Sequence, residues 1–317
     1  MRNKEFMKFV AERHAIYERR LAGKKKPWTK DPILSKYRFC NVYRELDKVT
    51  IWIRRNMTEK YADQRNFDLW FQFCIARLLN LPESLEPLGY CAFGWDQRVD
   101  GLSGAQRMIR ILHKRSKAGE NVFNGAYIVS TNGASMDKVE YVVDKVLTPL
   151  WKDRLKIRPQ PMVGMTGDYL QDFYERLVQY NGMGSFIAGQ VCADLKFAWP
   201  SAENWKPDMG VNAADCNPWK GNKRMYPPDF WTFAVSGPGS RRGLNRVFDY
   251  PVNDNWTERQ WRGALQVLME AVEPEVKKLA IPRISAQDLQ NCLCEFDKYE
   301  RVRLGEGTPK QRYNGEK

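Results

Sequence analysis

The sequence predicts a mainly α-helical protein. Three observations carry that expectation: apolar residues recur at helical spacing along most of the chain, helix-start signals repeat, and only one short stretch reads as a strand. The first helix is marked by Phe6, Val10, Tyr17 and Leu21 and stops at Gly23. From Tyr37 a stripe of Phe39, Val42, Tyr43, Leu46, Val49, Thr50 and Ile53 predicts a second. Thr58 is expected to cap a third, whose face is Phe67, Trp70, Phe71, Cys74 and Leu78, ending at Pro82. Ser103 with Gln106, Thr257 with Gln260 and Ser285 with Asp288 each fit a capping box, so helices are expected behind all three. A further helix is read from about Ser135 through Val139, Val142, Val143, Val146 and Leu150, and the run from Ala126 to Ser130 reads as the strand. Residues 198–230 lack an apolar period yet carry Trp199, Trp205, Trp219 and Tyr226. They read as a long aromatic loop, either pinned to the surface or offering faces for an unstacked base.

Composition bounds the function. The 317 residues are 43% hydrophobic and 28% charged, which excludes a disordered tail or a disulfide miniprotein. Lys and Arg number 51 against 38 Asp and Glu, a net charge of +13 that points to an anionic partner. Residues 1–60 alone hold 17 basic and 7 acidic side chains, with local maxima at Arg19-Arg20, Lys24-Lys25-Lys26 and Arg54-Arg55. A basic N-terminal helical extension is expected over residues 1–34, ahead of one helical domain over 35–317. The seven cysteines show no zinc or iron–sulfur spacing, so they read as reduced thiols, and no metal or cofactor is expected. No apolar run approaches the ~18 residues that span a bilayer, and the expected location is the cytoplasm.

Two glycine-bearing segments hold the candidate chemistry. In Asn181-Gly182-Met183-Gly184-Ser185-Phe186-Ile187-Ala188, two glycines lie between amphipathic stretches. The pattern is that of a helix–hairpin–helix, in which the second helix presents free N–H groups to a DNA phosphate. A purely structural linker would look the same. Gly182, Gly184 and Ser185 are the DNA-binding candidates here, joined by Lys196 and Arg246. In Gly237-Pro238-Gly239-Ser240-Arg241-Arg242-Gly243-Leu244, the glycines permit a backbone nest and Arg241 and Arg242 add fork-shaped donors. Gly237, Gly239, Ser240, Arg241 and Arg242 are therefore expected to bind phosphate or pyrophosphate, unless the segment is a turn with exposed arginines.

No G-x-x-x-x-G-K-[ST] motif occurs in the sequence, which argues against P-loop nucleotide chemistry. Only His14 and His113 are present, so acid–base work falls to carboxylates, tyrosine or lysine. Asp194 and Asp229, nearest the two glycine segments, are the expected catalytic pair. Arg44, Asp47, Glu295, Asp297 and Lys298 are further candidates.

Four ordered segments carry a family resemblance: Tyr37 to Thr50, Gly182 to Leu195, Gly237 to Leu244, and Asp288-Leu289-Gln290-Asn291-Cys292-Leu293-Cys294-Glu295-Phe296-Asp297-Lys298-Tyr299. Together they resemble the bacteriophage alpha-glutamyl/putrescinyl thymine pyrophosphorylases, amino acid:DNA transferases similar to the helical domain of 5-hydroxymethyluracil DNA kinases. The resemblance implies a helix–hairpin–helix DNA glycosylase-like fold and a role in thymidine hypermodification. Its implied substrates are double-stranded DNA carrying phosphorylated 5-hydroxymethyluracil, flipped out of the stack, and an amine such as glycine that displaces (pyro)phosphate. A 5-hydroxymethyluracil DNA kinase is the implied functional partner and an infected bacterium the implied setting. Kinase-fused members carry a P-loop that is missing here, which favours transfer over phosphorylation. A DNA glycosylase and a non-catalytic DNA-binding module of the kinase system are the rival readings. Phe186 stands where a bifunctional glycosylase would need lysine.

Overall fold

In the computed structural model the described residues are 1–61, 68–91, 93–94, 99–125, 129–159, 169–198 and 227–309. They are mainly helical, with no strand among them. In chain order the helices are α1 (Asn3–Leu21), α2 (Pro32–Lys36), α3 (Lys48–Ile53), α4 (Glu59–Tyr61), α5 (Leu69–Leu79), α6 (Pro82–Leu85), α7 (Gly104–Lys117), α8 (Lys138–Tyr141), α9 (Thr148–Lys152), α10 (Arg154–Ile157), α11 (Tyr169–Leu177), α12 (Ser185–Leu195), α13 (Pro238–Phe248), α14 (Glu258–Lys278) and α15 (Ala286–Arg303). The chain divides into two compact units. One contains residues 1–47 and 231–309, the other residues 48–198 and 227–230. No helix among the described residues is long and apolar enough to cross a membrane.

The first unit is built on α1, α13, α14 and α15. The predicted capping boxes form at the starts of α14 and α15: Thr257 Oγ1 accepts from Gln260 N, and Ser285 Oγ accepts from Asp288 N. Each supplies a partner to backbone donors that a helix start leaves orphaned. Glu5 in the first turn of α1 and Arg19 and Arg20 in its last turn complement the helix dipole. The inward stripe of α1 (Phe6, Met7, Phe9, Val10) meets Trp261 and Leu265 of α14 and Leu289 and Phe296 of α15 in a single core. Phe296 packs against Phe6 and Phe9 at centroid distances of 5.3 and 5.5 Å. Burying each such ring is worth roughly 2–3 kcal/mol before entropy is charged. The basic N-terminal segment, expected as an extension, is thus part of this unit's core.

The second unit is centred on α5, every residue of which is buried. Its apolar residues lie on all sides, broken only by Gln72 and Arg77, as suits an enclosed helix. Helix α12 packs on α5, and α11 joins α12 through residues 178–184. The third predicted capping box, Ser103 with Gln106, opens α7.

Several expectations are corrected. The stripe from Tyr37 is not a helix until Lys48; residues 37–47 form an irregular segment with one 3-10 turn, Arg44–Leu46. The cause is tertiary. Cys40 N donates to Glu295 Oε2 (3.0 Å) and Arg44 N donates to Asp288 Oδ1 (3.1 Å), so α15 takes donors that a helix would have used internally. Thr58 caps nothing, because it ends a π-helical turn (Arg54–Thr58) that links α3 to α4. The helix expected from Ser135 starts instead at Asp137, whose Oδ1 accepts from Val139 N (2.8 Å) and Glu140 N (3.3 Å). Val129 and Ser130 belong to no strand. The rest of that stretch, residues 126–128, lies outside the described residues, as do residues 199–226 of the aromatic loop with Trp199, Trp205, Trp219 and Tyr226. The six described cysteines are free thiols, and Cys216 lies outside the described residues.

Candidate functional site

Three of the four segments that carry the family resemblance come together on α15 in the first unit, residues 37–47 along one polar face and α13 along another side. Asp288, Asn291, Glu295 and Lys298 recur at spacings of three and four, which aligns them on that face. Each grips the irregular segment 37–47. Asp288 takes Arg44 N and Glu295 takes Cys40 N; Asn291 Nδ2 donates to the Asn41 carbonyl (2.9 Å). Lys298 Nζ pairs with Glu295 (2.6 Å), donates to the Arg38 carbonyl (3.0 Å) and lies 4.7 Å from the centre of the Phe39 ring. Asn41 Nδ2 in turn donates to the Leu46 carbonyl (2.9 Å) and approaches Asp47 Oδ1 (3.5 Å).

The segment Gly237 to Leu244 is not the expected nest. Gly237 is the N-cap of α13, and residues from Pro238 on are helical. Ser240, fully buried, bonds back onto the N-cap residue: its hydroxyl accepts from Gly237 N (2.9 Å) and donates to Gly237 O (3.0 Å). The glycines serve packing. A Cβ at Gly243 would lie 2.0 Å from the Leu293 carbonyl oxygen, and one at Gly239 would lie 2.5 Å from Cys294 Sγ, so α13 reaches α15 at closer range than a side chain allows.

The arginines of α13 are engaged with carboxylates to different degrees. Arg241 donates to Ser236 Oγ (2.8 Å), the Trp256 carbonyl (2.8 Å) and Glu258 (3.2 Å). Arg246, 5% exposed, pairs through Nε with Asp297 Oδ1 (2.9 Å) and through its terminal nitrogens with Glu306. Arg242 donates only Nε, to Asp297 Oδ2 (2.9 Å). Its two terminal nitrogens make no hydrogen bond among the described residues, and a third of its side chain is exposed. Of the phosphate candidates, Arg242 therefore keeps an open fork.

In the second unit a turn containing Gly182 joins α11 to α12. Gly182 has φ +76°, and a Cβ there would lie 2.6 Å from Val146 Cγ2, so both backbone and space require glycine. Gly184, with open space at its Cβ position, is the N-cap of α12, and no side chain caps the helix. Ser185 and Phe186 follow, both exposed. This helix start presents backbone N–H groups without a capping side chain, the arrangement that suits a phosphate.

The expected catalytic carboxylates are both buried and both bonded. Asp194 receives Arg77 Nε (2.6 Å) and Nη2 (2.5 Å) in a two-pronged pair, while Arg77 also reaches Thr50 Oγ1 (2.9 Å) and Asn80 Oδ1 (3.2 Å). Protonating Asp194 would leave a buried guanidinium without its counter-charge. Asp229 accepts from Leu170 N (3.2 Å) and Gln171 N (3.0 Å), satisfying the first turn of α11. Lys196 is buried, its Nζ 4.9 Å from the Phe197 ring and 4.8 Å from the Phe230 ring. Arg77, Glu258 and Glu306 were invisible to sequence reasoning. The Arg77–Asp194 pair spans 117 positions, and no local pattern signals it.

Comparison with known proteins places this architecture. A family model described as 5-hmdU DNA kinase, helical domain, matches residues 2–209 and 225–308. A 5-hmdU DNA kinase of Bacillus phage SP10 is 27% identical over 262 residues, which is 77% of this chain and 36% of that protein. The chain thus spans about a third of the length of the curated relative it matches. No solved structure matches. With its polar α15 face, its close α13–α15 contact and its hairpin all inside the matched region, the chain belongs to the family of the 5-hmdU DNA kinase helical domain.

Proposed function

We propose that this chain is a phage DNA hypermodification enzyme that transfers an amine, glycine in the first instance, onto phosphorylated or pyrophosphorylated 5-hydroxymethyluracil in DNA. In chemical terms the reading is closest to the thymine pyrophosphorylase branch, with a glycosylase-like helical scaffold. A C–N bond forms at the base's exocyclic methylene, the C–O bond to the (pyro)phosphate breaks, and the leaving group departs with the electron pair. The incoming ammonium must first lose a proton, since only the free amine is a nucleophile. The observation that carries the reading is the family match over nearly the whole chain, in a sequence with no P-loop for the phosphorylation itself.

The site geometry supports parts of it. The open fork of Arg242 is suited to the leaving phosphate, where charge develops. The uncapped start of α12 at Gly184 and Ser185 is suited to a backbone phosphate of the DNA. Asp194 and Asp229 are the proposed proton acceptors, each with a structural duty that a catalytic test must separate from chemistry.

The test is to incubate the protein with kinase-treated 5-hydroxymethyluracil DNA and labelled glycine, digest to nucleosides and look for a labelled product. Arg242→Lys is expected to lower turnover about tenfold or more while leaving affinity for unmodified DNA within about twofold. No labelled nucleoside with glycine, any other amino acid or putrescine overturns transfer. The kinship to a kinase's helical domain favours one second reading, a DNA-holding module that works with a kinase. Salt-dependent DNA binding with no consumption of the modified nucleotide is its signature.

A further inference from the structure

Arg13 has no counter-ion among the described residues. It sits on α1, 4% exposed, with its guanidinium 5.1 Å from the centre of the Phe9 ring. One terminal nitrogen, Nη2, donates to the carbonyls of Cys40 and Asn41 in the irregular segment. Its Nε and Nη1 reach no oxygen or nitrogen acceptor among the described residues, where the Cys292 thiol is its other polar neighbour, and it takes part in no ion pair there, unlike its neighbour Arg19, which pairs with Glu12. A guanidinium does not escape burial by losing its proton, so an unpaired one costs several kcal/mol unless an anion joins it.

The surroundings supply a place for that anion. Arg13 lines a small pocket of about 40 Å³ with Tyr17, Arg20, Tyr37, Phe39 and Asn41. None of the nine described residues that line it is acidic. The described walls thus bring the guanidiniums of Arg13 and Arg20 together with the phenols of Tyr17 and Tyr37, and Arg20 also lies 5.6 Å from the centre of the Trp28 ring. By this measure the space equals that of roughly two or three waters, enough for a small oxyanion. The segment 37–41 that closes the pocket is held against α15 by the contacts of Glu295 and Asn291, so the pocket is braced by the polar face already described.

We propose that Arg13, Arg20, Tyr17 and Tyr37 form a binding site for a phosphate-type oxyanion. Two planar forks match the paired oxygens of a phosphate, and the hydroxyls donate to those that remain. The source is a free phosphate or pyrophosphate, or a phosphate of the DNA backbone. The site does not rest on the transfer reading, and its test involves no amine, no modified base and no turnover.

The experiment is thermal unfolding of the full chain at constant ionic strength in chloride, with added inorganic phosphate, pyrophosphate or acetate, alongside anisotropy titration of an unmodified 20-base-pair duplex. A saturable rise in Tm of about 3 °C or more with phosphate or pyrophosphate is expected. Arg20→Gln and Tyr17→Phe, at partly exposed positions, should each weaken the saturation midpoint about tenfold, and Arg13→Gln should abolish the shift. If Arg13→Gln does not fold, the other two variants decide. Competition of phosphate against the duplex, lost in Arg20→Gln, assigns the site to the DNA backbone; protection by free phosphate without competition assigns it to a free oxyanion. The proposal is overturned by acetate protecting as well as phosphate, by variants that respond like the wild type, or by neither phosphate nor pyrophosphate raising Tm while the duplex is bound equally by all variants.

Discussion

The hairpin at residues 181–185 and the segment at 237–243 look alike as sequence, each a pair of glycines opening a helix, yet the two regions use glycine for opposite ends. In the hairpin, Gly182 turns the chain at positive φ and Gly184 leaves the start of α12 open to solvent. In α13, Gly243 lets the backbone meet the Leu293 carbonyl, Gly239 makes room for Cys294, and buried Ser240 ties back onto Gly237. The arginines that follow are largely spent on Asp297, Glu306 and Glu258. Glycines at a helix start therefore point to an anion only through what stays open beside them: the first N–H groups of α12 in one region, the terminal nitrogens of Arg242 in the other.

That contrast can be broken most forcefully at Asp297. Asp297→Ala removes the shared partner of Arg242 and Arg246 and is expected to destabilise the first unit by about 3–5 kcal/mol, measured by urea unfolding. A loss below about 1 kcal/mol would mean that Glu306 and solvent already neutralise Arg246. Next comes Gly243→Ala, whose added methyl meets the Leu293 carbonyl; overpacking of this kind costs about 1–3 kcal/mol, and the same substitution at Gly184, where the space is open, should cost well under 1 kcal/mol.

The same region should also be the acid-sensitive one. Burial pushes the Glu300 carboxyl up, but hydrogen bonds from Arg303 and Arg2, together with their charges, outweigh it and hold the group below its ordinary value of 4.5. A carboxyl depressed on folding adds stability that is present above the unfolded value and is lost as pH falls through the folded one. Thermal unfolding from pH 7 to pH 3 should therefore show a loss beginning below about pH 4.5. Glu300→Gln should flatten that part of the curve; an unchanged curve would remove Glu300 from the account. The smallest stability effect belongs to the hairpin. Gly184→Asp places a capping carboxylate at the open start of α12 and should raise stability by a few tenths of a kcal/mol while weakening duplex binding about tenfold in anisotropy titrations. Unchanged binding would take the hairpin out of the DNA interface.

Legibility followed the range of the interaction. All three capping boxes were readable because each is closed within four residues, and α1 and α5 because their periodicity reports burial directly. The segment 37–47 misled because its apolar spacing is helical, while the hydrogen bonds that decide its shape come from Asp288, Asn291 and Glu295, some 250 positions away. The candidate site was readable in part for the same reason. The residues at 288, 291, 295 and 298 declare one face of a helix, but nothing near Arg242 reveals that Asp297 holds it, and nothing near Arg13 reveals that no carboxylate among the described residues does.

The joining of α1 to α14 and α15 in one core also bears on how the chain folds. The second unit draws all of its described residues but 227–230 from the one stretch 48–198, so most of its contacts can form while the rest of the polypeptide is still being made. The first unit has no such option. Phe6 and Phe9 find Phe296 only after some 290 residues have been synthesised, and closing so long a loop is slow even though its added entropic cost grows only logarithmically. Assembly should therefore run from the middle of the chain outward, with the N-terminal helix waiting, its apolar stripe uncovered, for the last partner to arrive.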